Sequence, residues 1–185
     1  MEIPAIGTGT DRDHPGKVKR MKAVVVYESI WGNTAAVAKA VAEGIGGGAR
    51  VLSTAEASGA AIAGADLLVV GAPVLGFSAP SDLMVKSIAG NQDKYSKAPD
   101  LSQPSMRSWL DTLPQGNGRS AAFETRIWWS PRGSTGDIEN GLARAGYVRL
   151  GKARRFIVEG AEGPLRSGEL EKAKAWGAEL ARAMK

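Results

Sequence analysis

Short apolar runs alternate along this sequence with stretches of helical periodicity. Each run is apolar on consecutive residues, as in strands that are covered on both faces. The five predicted strands are residues Ala23–Tyr27, 49–52, 66–71, 120–123 and 156–158. This alternation predicts an α/β fold with three layers, in which helices cover both faces of a doubly wound, five-stranded parallel sheet.

The segments between the strands carry apolar residues three or four positions apart, as amphipathic helices do. Ser134 is expected to cap the second long helix, and the glycines of residues 44–48 are expected to close the first one. A shorter helix is predicted to start at Ser102 or Ser105 and to stop at Pro114. The long helices are predicted around residues 34–45, 135–145 and 168–184.

Two parts of the chain fall outside this alternation. Residues 1–20 hold Gly, Pro and charged residues without periodicity, which predicts a disordered N-terminal extension ahead of one domain over residues 21–185. Residues 77–104 are too long for an ordinary strand-to-helix connection, so they are predicted to form a lid or an excursion with a small helix around residues 83–88.

Composition excludes several kinds of chemistry. The chain has no cysteine, which excludes disulfides and thiolate catalysis. It has one histidine, His14, so sites that need two histidines are also excluded. We therefore expect no metal site and no catalytic side chain of these types. The remaining chemistry must use backbone amides, hydroxyls, carboxylates, guanidiniums and aromatic rings, or come from a bound cofactor. Residues 1–20 lack the apolar core of a signal peptide and no membrane span is predicted, so we expect a cytoplasmic protein.

The formal net charge is +5, and residues 142–185 hold ten basic against five acidic residues. A basic face of this kind could attract nucleic acid, an anionic membrane or an acidic protein. The charges of both signs are mixed along what reads as a solvated helix, so nucleic-acid binding is not predicted.

The loop after the first strand is the strongest functional signal. It reads Glu-Ser-Ile-Trp-Gly-Asn-Thr over residues 28–34 and leads directly into the first helix. A loop in this position presents unpaired backbone N–H groups, and the helix dipole adds a preference for an anion. Glu28 is interpreted as a strand-end carboxylate bonded to nearby amides. The loop therefore predicts a phosphate-binding site.

This loop resembles the phosphate loop of the flavodoxin family, which has the form [ST]-x-[ST]-G-N-T. The resemblance implies a flavodoxin-like fold with strand order 2-1-3-4-5 and FMN held non-covalently above the C-terminal ends of strands 1, 3 and 4. Trp31 departs from the motif because the family usually has a hydroxyl residue there. The residues expected to hold the phosphate are Ser29, Ile30, Trp31, Gly32, Asn33 and Thr34.

Two later loops are similar to those that flank the flavin ring in the same family, and residues 163–170 resemble the last helix of an actinobacterial group of flavodoxin-like proteins. Leu75, Phe77, Trp128 and Trp129 are available as walls for a flat ring. One of the two adjacent tryptophans is expected to point into the core, because consecutive extended residues face opposite ways. The residues expected to contact the ring are Ala72, Pro73, Val74, Leu75 and Gly76, and Thr125, Arg126, Ile127 and Trp128.

Three functions are left open. The resemblance favours an FMN-binding electron carrier. One alternative is an FMN-dependent oxidoreductase that uses NAD(P)H and a quinone, with residues 77–104 covering the second substrate. Another is an interaction module without cofactor, in which Trp31 blocks the phosphate site. Because the chain is basic, its redox partner proteins are expected to be acidic, and Arg126 and Arg132 are candidates for guiding an anionic substrate.

Overall fold

A computed structural model describes residues 20–185, so residues 1–19 of the predicted extension, with His14, lie outside the described residues. Strands and helices alternate as predicted. The strands are β1 (Ala23–Tyr27), β2 (Arg50–Ser53), β3 (Leu67–Pro73), β4 (Arg119–Ile127), β5 (Val148–Arg149) and β6 (Arg154–Val158). The helices are α1 (Asn33–Ile45), α2 (Gly59–Ile62), α3 (Asp82–Ala89), α4 (Met106–Asp111), α5 (Thr135–Arg144) and α6 (Glu169–Ala183), with a 3-10 helix at Gln92–Lys94.

The sheet is parallel throughout and follows the order β2-β1-β3-β4-β5, which confirms the predicted strand order. The last position is divided between two short strands. Arg119 and Ser120 of β4 pair with β5, and residues 123–127 of β4 pair with β6. The chain leaves the sheet between them, where Gly151 has a φ of +82°. The edge predicted as one strand at residues 156–158 is therefore two.

One face of the sheet is covered by α1 and α6, which cross closely. A Cβ at Gly44 would lie 1.9 Å from the Lys174 carbonyl oxygen, and one at Gly177 would lie 2.1 Å from that of Val41. Neither position therefore accommodates a side chain. Beneath the two helices, the rings of Phe123, Phe156 and Trp176 form a buried cluster with centroids 6.0–6.2 Å apart.

The opposite face of the sheet is covered by α4 and α5. Met106, Trp109 and Leu110 of α4 are buried with Ile138 and Leu142 of α5 against Val24, Val26, Leu68 and Val70 of the sheet. The indole N–H of Trp109 donates to the Ala57 carbonyl at 2.8 Å, which satisfies the polar atom of the largest buried side chain on this face. The sheet and the helices on its two faces together form the three layers that were predicted.

The segment from residue 77 to residue 104 contains α3, in agreement with the small helix predicted there. The next helix starts at the second of the two predicted caps, where the Ser105 hydroxyl accepts a hydrogen bond from the Ser108 amide at 3.3 Å. Ser134 also precedes its helix, but its hydroxyl donates to the Ala72 carbonyl at 3.2 Å and does not cap α5. Among the helices of residues 20–185, none is long and apolar enough to cross a bilayer.

Candidate functional site

A cleft of about 310 Å³ opens at the C-terminal ends of β1, β3, β4 and β6. In an open parallel sheet, ligands bind at this end because the loops after neighbouring strands converge there. The volume is at the lower end of the roughly 300–1,000 Å³ of ligand pockets. The lining residues are Ser29, Trp31, Asn33, Thr34, Pro73, Val74, Leu75, Gly76, Met84, Ser87, Ile88, Tyr95, Thr125, Arg126, Ile127, Val158 and Ala161.

The loop between β1 and α1 presents a run of free backbone donors. The N–H of Glu28 bonds to Gly71 and that of Ala36 bonds to Gly32, but within residues 20–185 no acceptor is bonded to the N–H groups of residues 29–35. Gly32 occupies the N-cap position with a φ of +87° and offers no side-chain cap. The free amides therefore lie at the positive end of the dipole of a 13-residue helix, where an anion is favoured.

Hydroxyl and amide side chains add to this polar end of the cleft. The hydroxyls of Thr34 and Thr125 lie 2.8 Å apart and are buried, so they tie α1 to β4. Ser29 is 4% exposed, and its hydroxyl has no hydrogen-bond partner among the described residues. A buried, unpaired hydroxyl costs free energy unless a ligand or water completes it. Asn33 donates from Nδ2 to the Glu162 carbonyl at 3.1 Å.

Trp31, which departs from the loop motif, packs against Tyr95 in the segment of residues 77–104, which we call the excursion. Its ring lies 5.2 Å from that of Tyr95, at an interplanar angle of 51°. The excursion is fixed there by Glu162, whose carboxylate accepts hydrogen bonds from the Ser96 hydroxyl and the Lys97 amide, each at 2.7 Å. Trp31 therefore forms a wall of the cleft and leaves its volume open.

Much of the remaining lining of the cleft is apolar. Val74 and Leu75 follow β3, Met84 and Ile88 reach in from α3, and Val158 ends β6. A cleft that combines hydrogen-bond donors with aliphatic walls suits a ligand with both a polar and an apolar part.

The turn after β3 forms part of the rim of the cleft. Leu75 and Ser78 exchange backbone hydrogen bonds of 3.0 and 2.9 Å across Gly76 and Phe77. Both central residues have positive φ, +51° at Gly76 and +67° at Phe77. Phe77 thus occupies a conformation that favours glycine, while its side chain is 46% exposed.

Most of the residues predicted for the site line the cleft, and four of them do not. Ile30 and Gly32 line a second cavity of about 270 Å³ on the other side of the loop. Ala72 is fully buried inside β3, and Trp128 is 70% exposed. Thr125, Arg126 and Ile127 belong to β4 itself, which runs four residues further than the predicted strand.

The prediction that one of the two adjacent tryptophans points into the core is wrong. Trp128 and Trp129 are 70% and 57% exposed. They follow the end of β4 in a turn, where the Ser130 amide donates back to the Ile127 carbonyl at 3.2 Å. The alternation of side chains holds only for extended backbone, so it does not apply to this pair.

Six lining residues were not anticipated: Met84, Ser87, Ile88, Tyr95, Val158 and Ala161. The sequence pattern could have indicated three of these residues. Met84 and Ile88 are four apart in a helical pattern, and Val158 ends a predicted strand, so its position at the shared edge follows from the topology. Tyr95 and Ala161 come from irregular segments, whose paths the sequence does not indicate.

Arg126 is the cation that lines the cleft, and the described lining contains no Asp or Glu. Its Nη1 donates to Glu124 Oε1 at 2.9 Å, and both side chains are buried, at 6% and 0% exposure. Glu124 Oε2 also accepts from the Thr135 amide at 3.0 Å, so the ion pair is anchored to α5. The Glu124 carboxylate therefore neutralises the one cation of the described lining.

Glu28 is the first residue after β1, directly before Ser29, and is 2% exposed. Its Oε2 accepts a hydrogen bond from the Met106 amide at 2.6 Å, which confirms its interpretation as a strand-end carboxylate bonded to an amide. Burial, with a smaller contribution from the charge of Asp82, raises the pKa of the Glu28 carboxyl to about 8 despite that hydrogen bond.

Comparison with known proteins identifies the fold. The sequence matches no protein family and no curated protein. Solved structures do match. A flavodoxin from the domain Archaea is 22% identical over 89% of this chain and 99% of its own, with a TM-score of 0.61. The chain therefore has the flavodoxin-like fold.

Two further structures show the same likeness. Flavodoxin 2 from Bacillus cereus is 13% identical over 87% of this chain and 98% of its own, with a TM-score of 0.59. A flavodoxin, WrbA-like protein from Agrobacterium tumefaciens is 21% identical over 89% of this chain and 97% of its own, with a TM-score of 0.56. At these identities the likeness establishes the fold and leaves the ligand to be argued from the site.

Proposed function

We propose that this protein binds FMN non-covalently in the cleft and serves as an electron-transfer protein. The observation that carries the proposal is the run of unpaired amides at residues 29–35 at the start of α1, four of whose residues, Ser29, Trp31, Asn33 and Thr34, line the cleft. Free donors at a helix N-terminus are a phosphate site, and the fold is one whose solved examples include flavodoxins.

The residues present fit FMN in three respects. Ser29, Asn33 and Thr34 would hold the phosphate together with the free amides, and the unpaired Ser29 hydroxyl would gain a partner. Residues 73–76 and 125–127 would flank the ring, with Met84 on the excursion side. Arg126, which is paired with Glu124, would add a hydrogen-bonding side chain to the wall beside the occupant. Bound FMN supplies the transfer of one or two electrons, and the chain supplies binding and electrostatics.

A second candidate is an FMN-dependent oxidoreductase that takes electrons from NAD(P)H and passes them to a quinone. The excursion supports it, because Met84, Ser87 and Ile88 of α3 form a wall of the cleft beside Tyr95. An element of this kind can shield a second substrate from water. The cofactor-free interaction module has less support, since Trp31 packs against Tyr95 and leaves the cleft open.

The test is a titration of purified protein with FMN and with riboflavin, followed by flavin fluorescence and absorbance. Riboflavin lacks the phosphate, so we expect FMN to bind at least tenfold more tightly, which is the effect of about 1.4 kcal/mol from the amide contacts. Equal affinities would contradict the phosphate site. A failure to bind either compound would support the interaction module.

The two redox functions are separated by adding NADPH or NADH with a quinone to the FMN-loaded protein. The oxidoreductase turns over without another protein, whereas the carrier stays oxidised until a reductase is supplied. For the carrier, the net charge of +5 favours acidic redox partners. Association rates with such a partner should fall as ionic strength rises.

A further inference from the structure

Glu162, in the loop after β6, joins two parts of the cleft wall that are far apart in the sequence. Its carboxylate accepts three hydrogen bonds from the excursion: from the Ser96 amide at 3.2 Å, and from the Ser96 hydroxyl and the Lys97 amide at 2.7 Å each. Its backbone carbonyl accepts from Asn33 Nδ2 at 3.1 Å. Glu162 does not itself line the cleft, but it connects the excursion to the first turn of α1.

The contact with α1 is close. Gly163 directly follows Glu162 and has a φ of +95°, and a Cβ there would lie 2.5 Å from Asn33 Oδ1. The backbone at Glu162 is therefore packed directly against the Asn33 carboxamide. Asn33 in turn lines the cleft and belongs to the run of free amides. One end of the connection is thus fixed at the candidate phosphate site.

The other end is an ionised carboxylate. Hydrogen bonds from Ser96, first of all from its hydroxyl, hold the pKa of the Glu162 carboxyl below its usual range, and Lys97 adds to this effect. The group is therefore charged at neutral pH. Hydrogen bonds to a charged acceptor are stronger than those between neutral groups, so this contact is a firm attachment for the excursion.

Beside this attachment, the excursion and the loop between β1 and α1 are not closely packed. The second cavity, of about 270 Å³, lies between them and is lined by residues of both segments. Three buried side-chain atoms of its lining residues, Ser29 Oγ, Trp31 Nε1 and Gln103 Oε1, have no hydrogen-bond partner among the described residues. Unpaired polar atoms and a cavity reduce what is gained by holding two segments together.

Two further hydrogen bonds join the same segments later in the excursion. The Asp100 amide donates to the Ile30 carbonyl at 2.8 Å, and Gln103 Nε2 donates to the Ser29 carbonyl at 3.4 Å. Neither Asp100 nor Gln103 lines the cleft. Tyr95 does line it and directly precedes the residues bonded to Glu162, so the Glu162 contact is the one next to the cleft wall.

We infer that Glu162 is a positioning residue for the flavin, whose carboxylate holds the excursion wall of the cleft in place and so retains the bound ligand. The inference rests on the proposed function, since it takes FMN as the occupant. Glu162 acts through Tyr95 and not by touching the ligand. Without the carboxylate, the wall separates from the loop more often, and the flavin leaves the cleft faster.

The test is the dissociation rate constant of FMN from the full chain, followed by flavin fluorescence after rapid dilution. Glu162→Ala removes the carboxylate and keeps the carbonyl that accepts from Asn33, and we expect the rate constant to rise about tenfold. Glu159→Ala is the matched control, because the Glu159 carboxylate lies in the same loop and is bonded to Arg166 at 3.0 Å. Its rate constant should stay close to that of the wild type.

Ser96→Ala tests the contact from the other side and replaces Glu162→Ala if that variant does not fold. It removes one of the three hydrogen bonds, so we expect a rise of about threefold. In the double variant the contact is already lost, and the rate constant should equal that of Glu162→Ala alone. A general loss of stability would instead multiply the two effects.

Three outcomes would overturn the inference: unchanged rate constants in Glu162→Ala or in Ser96→Ala, an equal rise in Glu159→Ala, or effects that multiply in the double variant. Failure of the wild type to bind FMN would instead overturn the proposed function.

Discussion

Thr34 in the first turn of α1 and Thr125 in β4 share a hydrogen bond of 2.8 Å between buried hydroxyls. The contact joins the candidate phosphate loop to the strand on the other side of the cleft. Either variant, Thr34→Val or Thr125→Val, leaves the other hydroxyl without a partner, and each should lower the free energy of unfolding by about 1–3 kcal/mol.

The two variants should differ in ligand binding. Only Thr34 lies beside the free amides of the loop, so Thr34→Val should weaken FMN binding about tenfold and riboflavin binding little. Thr125→Val should affect the two ligands alike. Fluorescence titration of both flavins against both variants measures this difference, and equal losses for FMN and riboflavin in Thr34→Val would place the phosphate elsewhere.

Gly32 tests the backbone of the phosphate loop. A Cβ there meets nothing within 4 Å, so Gly32→Ala costs only the strain of its φ of +87°, about 1 kcal/mol. Gly48 is a matched control, with a φ of +81° and equally open surroundings. We expect similar losses of stability in chemical denaturation, but a fall in FMN affinity for Gly32→Ala alone. A similar fall in FMN affinity for Gly48→Ala would show that general destabilisation is the cause.

Gly44 tests the crossing of α1 and α6. The added Cβ of Gly44→Ala would lie 1.9 Å from the Lys174 carbonyl oxygen, so the helices must separate. We expect a loss of about 3 kcal/mol or more in the free energy of unfolding. A Cβ added at Gly136 in α5 would meet nothing within 4 Å. Gly136→Ala should therefore raise the free energy of unfolding by about 0.5–1 kcal/mol. Equal effects in the two variants would contradict the tight crossing.

Glu28 should make stability depend on pH. Its pKa is raised to about 8 in the folded protein, above the value of about 4.3 in the unfolded chain. Between these values the folded state holds the proton, so stability falls as pH rises, by up to about 1.4 kcal/mol per pH unit from this group. Denaturation curves from pH 5 to pH 8 should show a smaller decline for Glu28→Gln than for the wild type, and parallel declines would contradict the burial of an uncharged carboxyl.

Phe77 should be a strained residue whose replacement by glycine increases stability. Its φ of +67° costs a non-glycine residue about 1 kcal/mol, and its side chain is 46% exposed, so little packing is lost. Phe77→Gly should therefore raise the free energy of unfolding by up to about 1 kcal/mol. Phe77→Ala keeps the strain and should show no such gain. A loss for both variants would mean that the ring packs more than its exposure indicates.

The sequence predicts the fold well because apolar runs and helical periodicity are local signals. The predicted strand Ala23–Tyr27 coincides with β1, and the predicted order of strands is that of the sheet. The end of β4 was not predicted because Glu124, Thr125 and Arg126 are polar. They are buried because each has a polar partner in the folded chain: Thr125 bonds to the Thr34 hydroxyl, and Glu124 bonds to Arg126 and to the Thr135 amide.

The lining of the candidate site agrees with the prediction at the loop after β1 and at the end of β3, and less well where it depends on segments from later in the chain. The loop after β1 lies where the motif indicates, and its amides are free. Tyr95 reaches the cleft because Glu162, 67 residues later in the numbering, holds the neighbouring Ser96. No spacing in the sequence indicates such a contact, and the exposure of Trp128 likewise depends on where β4 ends.

The division of the outer strand into β5 and β6 has a consequence for how this protein meets other copies of itself. A long, straight outer strand would offer a continuous row of backbone donors and acceptors to a neighbouring chain. Here the row is interrupted over residues 150–153, and β5 is two residues long. A second molecule could not extend the sheet in register along this side, so the interruption guards against ordered aggregation.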